Sequence, residues 1–244
     1  MIGLVSISFR GNSVDEIVKA CKENGLTCIE WGSDVHAPCN DAEKLNYVKK
    51  VCDDNGIKCC SYGTYFRIDE TPNEEIYSYI KSAKILGTDV LRVWCGKKGS
   101  AEYTEEERQE LFITCREIAK IAEKENVKIC MECHINTFTD DLDCALLLMR
   151  EVNSPNFKMY WQPNQFKTEE QNIKYAKEIS SYVEVIHAFN WEKNDKFPLR
   201  EGVEIWKKYM SNFKEDVPVL LEFMPDGRIE SLKEESNALK LIVE

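Results

Sequence analysis

The sequence predicts an α/β protein folded as one (β/α)₈ barrel, and three observations carry that expectation. Short β-rich runs alternate with runs of helical period from one end to the other, and eight such pairs can be counted. The 244 residues match the roughly 250 typical of the fold. No GxGxxG follows the first β-rich run, so the rival doubly wound open sheet lacks its usual fingerprint. Strand–helix–strand units cross over right-handed, so the alternation implies parallel strands.

Taken in order, Ile2–Ser8 reads as the first strand, and Ser13 is the N-cap candidate of a helix that runs to Asn24 and ends at Gly25. Thr27–Trp31 is the second strand. A helix over Asp41–Asn55 stops at Gly56, before a third strand at Ile57–Tyr62. Ile76, Ile80, Ala83 and Leu86 mark one apolar helix face, closed by Gly87, and Asp89–Trp94 is strand four. Leu111, Cys115, Ile118, Ala119 and Ala122 form the next stripe, followed by strand five at Val127–Glu132. Leu142, Ala145, Leu146 and Met149 line the helix before strand six, Phe157–Trp161. A polar helix over Thr168–Ser180 precedes strand seven, Val183–Phe189. The helix around Trp206 leads to strand eight, Val217–Phe223, and Ser231–Val243 closes the chain. No linker-like stretch or shift in composition divides these elements, so a single domain over residues 1–244 is expected.

At 43% hydrophobic and 31% charged, the composition is that of ordinary globular protein. A formal charge of −11 repels phosphate backbones, and no basic stripe offsets it, so nucleic acid is not an expected partner. The longest apolar runs, such as Ala145–Met149, fall far short of the ~18 residues a membrane span needs. The opening residues show neither a basic region nor a small-residue cleavage site, which makes the cytoplasm the expected compartment. Eleven cysteines, an odd count, then read as reduced thiols used for packing. Cys130 and Cys133 have CxxC spacing, but residues three apart on a strand point to opposite faces, so a shared metal or redox role is not expected.

Barrel enzymes place their chemistry at the C-terminal strand ends. Four late strands each end in a residue able to bind a metal: Glu132, Gln162, His187 and Glu222. Strand parity puts each on the same face as the residue two before it, namely Cys130, Tyr160, Val185 and Leu220. Burying carboxylates and an imidazole in a barrel mouth is costly unless a cation compensates, so the set points to one shared divalent ion, Mn²⁺, Mg²⁺, Co²⁺ or Zn²⁺.

This pattern resembles the metal site of the xylose-isomerase-like TIM-barrel superfamily, which includes sugar phosphate isomerases and epimerases, ketose 3-epimerases and hydroxypyruvate isomerases. The resemblance covers nearly the whole chain. It is carried by Gly3-Leu-Val-Ser6, Ile29-Glu-Trp-Gly32 with Asp34-Val-His36, Ser61-Tyr-Gly63, Arg92-Val-Trp94, Tyr160-Trp-Gln-Pro-Asn164 and Leu221-Glu222. It implies a metal-dependent isomerase or epimerase of a small sugar or sugar phosphate. In such an enzyme Glu132 and Glu222 move protons beside a carbonyl, through a metal-stabilised enediolate, while His187 and Gln162 only hold the ion. Many relatives carry aspartate where this chain has Gln162. An amide brings no charge, so weaker metal retention and a more electrophilic metal are expected.

The resemblance further implies substrate-side roles for Glu30 and His36. His134 is placed to touch a substrate hydroxyl, and Trp94 and Trp161, among the aromatics near strand ends (Trp31, Tyr65 and Trp191 are the others), would wall a sugar pocket. Arg67, Arg92, Lys97 and Arg228 could meet a phosphate, but their spacing builds no phosphate cradle. The expected partner is a small sugar, and a homo-oligomer is compatible with everything above. Three other readings stand beside it. A nuclease resembling endonuclease IV would need a histidine-rich multi-zinc site, and this chain has three histidines. A non-catalytic sugar-binding barrel, with Gln162 as a sign of decay, and a metal-dependent lyase or dehydratase stay open.

Overall fold

The local signals for starting and stopping helices are fulfilled atom by atom. Ser13 accepts from the Glu16 amide, and the Glu16 carboxylate takes the Ser13 amide at 2.7 Å, a reciprocal cap repeated by Thr104 with Glu107 and Thr168 with Gln171. Gly56 and Gly87 end their helices with φ of +70° and +83°, a left-handed conformation that glycine adopts without a Cβ penalty.

The structure is a computed structural model describing residues 1–244. Its strands are β1 (Ile2–Val5), β2 (Cys28–Gly32), β3 (Lys58–Ile68), β4 (Val90–Cys95), β5 (Lys128–Glu132), β6 (Phe157–Trp161), β7 (Val183–Ala188) and β8 (Val219–Leu221). All pair in parallel, and β1 bonds to both β2 and β8, closing the barrel. The helices are α1 (Val14–Glu23), α2 (Ala42–Asn55), α3 (Ile76–Leu86), α4 (Glu105–Glu125), α5 (Leu142–Val152), α6 (Glu169–Ile179), α7 (Val203–Met210) and α8 (Leu232–Val243). The (β/α)₈ barrel expected from the alternation is therefore the fold observed. No helix is long and apolar enough to cross a membrane.

Period-two alternation sorts the strand residues into two cores. Ile29, Leu91, Met131, Trp161 and Ile186 face outward and join a 61-residue cluster. Cys28, Val90, Cys130, Tyr160, Val185 and Leu220 face inward and pack on one another with Val5 and Ile7. Each of those six inward residues is followed, two positions on, by a polar one: Glu30, Arg92, Glu132, Gln162, His187 and Glu222. The pleat therefore stacks a polar layer directly above an apolar plug. Cys130 lies in the inner cluster and Cys133 in the outer one, and all eleven cysteines are free thiols.

Three details depart from the sequence expectation. β1 ends early, because Ser6–Phe9 turns into a short 3₁₀ segment whose Ser6 Oγ accepts the Gly32 amide at 2.9 Å. β3 runs on through Gly63 to Ile68 instead of stopping at Tyr62. Gly63 is there for clearance: a Cβ at that position would lie 2.6 Å from Glu30 Oε1. A small two-stranded ribbon, Trp191–Glu192 against Asp195–Lys196, follows β7, where the sequence pattern predicts no strand.

Candidate metal centre and cleft

The polar layer is a network of buried charges. Arg92, from β4, sends Nη1 to Glu132 Oε2 at 2.8 Å, and its Nε lies 3.4 Å from Glu30 Oε1. Glu132 Oε2 also accepts the Trp94 indole N–H at 2.6 Å, so that oxygen is fully engaged while Oε1 stays free. Glu30 is fully buried, takes a hydrogen bond from Ser61 Oγ at 2.8 Å and stands 3.4 Å from His187 Nε2. The other imidazole nitrogen, Nδ1, faces Glu132 Oε1 at 3.3 Å and Glu222 Oε2 at 3.6 Å.

The donor set fits a divalent cation. One ligand atom from each of Glu132, His187 and Glu222 lies within 4.8 Å of the others. Ligands at ~2.1 Å from a shared ion sit about 3.0 Å apart in octahedral and about 3.4 Å apart in tetrahedral geometry. The observed 3.3 and 3.6 Å are of that size. His187 Nδ1 and Gln162 Oε1 are both buried without a hydrogen-bond partner, as lone pairs reserved for a cation would be. Glu30 behind Nε2 would take the N–H of the metal-binding tautomer, the usual support of a ligating histidine.

The electrostatics treat the two glutamates differently. Burial would raise the Glu132 carboxyl, but Arg92 and His187 outweigh it and hold the pKa low. For Glu222 burial prevails and pushes it up to about 7, with His187 and Arg92 pulling it down and Glu132 pushing it further up. Burial would lower His187, yet Glu30, Glu222 and Glu132 raise it to about 10 when no metal is bound.

Above the layer opens a cleft of about 280 Å³. Glu132, Gln162 and Glu222 form its floor, and Trp94, Tyr65 and Trp191 are among its walls. His134 also lines it. The His134 Nδ1 lies 2.7 Å from the Ile135 carbonyl, which can only accept, so Nδ1 carries the proton. In the neutral ring Nε2 is then an unprotonated acceptor.

The remaining expected substrate residues lie elsewhere. Trp161 is fully buried on the outer face of β6, edge-on to Trp206 at 5.9 Å and Tyr209 at 5.1 Å, so it walls no pocket. Being one residue from inward Tyr160 and from Gln162, it had to point outward. His36 is buried away from the cleft against Trp31, and its Nε2 donates to the Asn12 carbonyl at 3.0 Å, a structural tie. Glu30 sits beneath the imidazole and has no surface to offer a substrate. Among the phosphate candidates, Arg92 is consumed by the buried network. Arg67 bonds the Gly96 carbonyl, and Lys97 and Arg228 pair with Asp69 and Glu230. Sequence reasoning missed the clamp formed by Arg92 and Glu30; the parity signal was present, with each two residues past an inward apolar position.

A family model described as a xylose isomerase-like TIM barrel matches residues 18–241. The chain is 31% identical over 167 residues to a 3-dehydroshikimate dehydratase of Bacillus anthracis. That match covers 64% of this chain and spans only 59% of the relative's length. Among solved structures it is similar to a probable 3-DHS dehydratase of Bacillus anthracis involved in petrobactin synthesis, with 22% identity, 98% of both chains covered and a TM-score of 0.84. It is also similar to a D-allulose 3-epimerase from Methylomonas sp., with 14% identity, 99% and 97% covered and a TM-score of 0.70. The two structural likenesses establish a common fold.

Proposed function

Since the chain belongs to the xylose isomerase-like TIM-barrel family, we propose that it is a dehydratase acting on a small, hydroxylated cyclic keto acid. In this reading Glu132, Gln162, His187 and Glu222 hold one divalent cation. The observation that carries it is the unequal treatment of the bases. Glu132 Oε2 is occupied by Arg92 and Trp94, which supports a ligand role for Glu132 and leaves it unsuited to shuttle a proton. His134 Nε2, in contrast, is an open acceptor on the cleft wall. One mobile base suffices for elimination, whereas inverting a centre calls for two. The 31% identical relative named as a 3-dehydroshikimate dehydratase supports the same reading.

A cation held by these residues would supply Lewis-acid stabilisation of the substrate oxygen that gains charge. His134 takes the proton from the carbon beside the carbonyl, and the C–H electron pair becomes the new C=C bond. The C–O bond one carbon further on breaks, and the departing hydroxide leaves as water by taking back the proton that His134 gained. Substrate becomes product plus water, with no oxidant or reductant. For a cyclohexenone carboxylate bearing hydroxyls, enolisation after water loss gives an aromatic dihydroxybenzoate. Arg92 and Trp94 keep Glu132 in place, and Glu30 orients His187.

The isomerase or epimerase reading expected from the sequence is the second. It is favoured by Glu222, whose carboxylate has His187 Nδ1, at 3.6 Å, as its one ion-pair partner and is thus free to return a proton. The discriminating experiment supplies Mn²⁺-loaded protein with 3-dehydroshikimate and, separately, with C4–C6 ketoses and their phosphates. Water loss from the keto acid, reduced on the order of 10²–10⁴-fold in His134→Asn with metal affinity unchanged, is the expected result. Epimerised ketose without any elimination would replace the first reading by the second, and turnover of neither class would defeat both.

A further inference from the structure

The outer wall of the cleft carries a feature that the reaction above does not use. Phe223, next after Glu222, has a φ of +57°, a left-handed conformation that bulky residues rarely adopt. Its amide donates to Ser8 Oγ at 2.9 Å, so the turn that ends β1 helps to hold it there. The resulting ring meets Trp191 at 5.3 Å, and both rings line the cleft. Trp191 pairs across the ribbon with Lys196, whose ammonium lies 4.8 Å from the Trp191 ring and 5.0 Å from the Phe223 ring.

The other cations around the cleft are committed. Arg10 gives Nε to Asp34 and Nη2 to the Tyr65 hydroxyl, Arg92 serves Glu132, and Arg67 bonds Gly96 and pairs with Glu70. Lys196 forms neither a hydrogen bond nor an ion pair, and aromatic faces leave its three N–H donors available. In the reading above, the carbonyl and hydroxyl oxygens of the substrate would face the cation site on the floor, so the carboxylate, at the other end of the ring, would point toward the mouth. A strained aromatic residue and its partner ring wall the cleft there, and an unpaired ammonium stands within 5.0 Å of both ring centres.

We propose that Lys196 is a specificity-determining residue that receives the substrate's carboxylate at the cleft mouth, beside Trp191 and Phe223. The inference rests on the keto-acid reading above. Its test is a pair of ligands that share a ring and adjacent hydroxyls and differ by one carboxylate: 3,4-dihydroxybenzoate and catechol. Calorimetry on Mn²⁺-loaded protein should show the acid binding on the order of tenfold more tightly than catechol, as suits one charge-assisted hydrogen bond. Lys196→Gln should abolish that ratio without altering catechol affinity or melting temperature, and Lys196→Arg should retain most of it. An unchanged ratio in Lys196→Gln, or no preference for the acid in the parent protein, would overturn the assignment. So would a preference for ketose phosphates over ketoses that depends on Lys196 without any preference for the acid. Because the ratio is read from binding, it is measurable even if the keto acid is not turned over, and the two failures are distinguishable.

Discussion

Loading the centre with a divalent ion should expel protons, and their number follows from the charges around His187. In the metal-free protein the imidazole, raised to about 10 by Glu30, Glu222 and Glu132 against the opposing effect of burial, is doubly protonated at neutral pH. Glu222, pushed up to about 7 mainly by burial, is then half protonated. Ligation through Nδ1 requires that proton to leave, since Nε2 retains its own toward Glu30. From about pH 7 to about pH 10, one proton should be released per ion and the association constant should rise about tenfold per pH unit. Below about pH 7 Glu222 must give up a second proton, and the dependence should steepen toward about a hundredfold per unit. At about pH 8, two units below the imidazole value, displacing that proton costs about 2.7 kcal/mol of binding energy. Calorimetric Mn²⁺ titrations between about pH 6 and 8.5, in buffers of different ionisation enthalpy, count the protons directly. An affinity that stays flat across that range, or heats that do not depend on the buffer, would refute Nδ1 as a ligand.

Three substitutions probe the rest of the arrangement. Glu30→Gln keeps an acceptor for Ser61 but removes the charge behind the imidazole, so metal affinity should fall roughly 10–100-fold while the fold is kept, as read by calorimetry and circular dichroism. Unchanged affinity would deny Glu30 its positioning role. Gly63→Ala places a methyl 2.6 Å from Glu30 Oε1 and should cost about 1–3 kcal/mol in denaturant unfolding, accompanied by weaker metal binding. Trp161→Ala should cost about 3–5 kcal/mol of stability and leave the folded protein's affinity for 3,4-dihydroxybenzoate intact. Loss of that affinity at full stability would return Trp161 to the pocket wall.

The barrel was legible because each element carries its own local signal: caps at Ser13, Thr104 and Thr168, glycine stops at Gly56 and Gly87, and apolar runs between them. Parity at strand ends also sufficed to align Glu132, Gln162, His187 and Glu222. The same rule, applied one residue away, turns Trp161 outward into the outer core, where an aromatic side chain near a strand end packs against helices and not against a ligand. His36 lies in the turn beyond β2, where no period exists to say which way it faces. The function of Glu30 depends on His187, 157 positions away, and that pairing arises only when the barrel closes. The ribbon holding Lys196 has two-residue strands, too short for alternation to register.

Charge balance explains how an amide can stand at position 162. Counting only the residues that touch the centre, Glu30, Glu132 and Glu222 supply three negative charges and Arg92 returns one positive charge. The remainder of two matches a divalent cation beside a neutral His187. Glu30 contributes to this count although it is not itself a ligand, because in a desolvated layer its charge is felt by every member. A carboxylate at 162 would take the sum to three and would have to hold a proton or leave the ion under-neutralised. Gln162 instead offers a buried carbonyl oxygen that no donor in the protein satisfies. Weaker retention, expected when ligand charges alone are counted, does not follow once the charge behind the imidazole is included. The amide is therefore compatible with a working centre, and the clamp of Arg92 and Glu30 is the part of the sequence that makes it so.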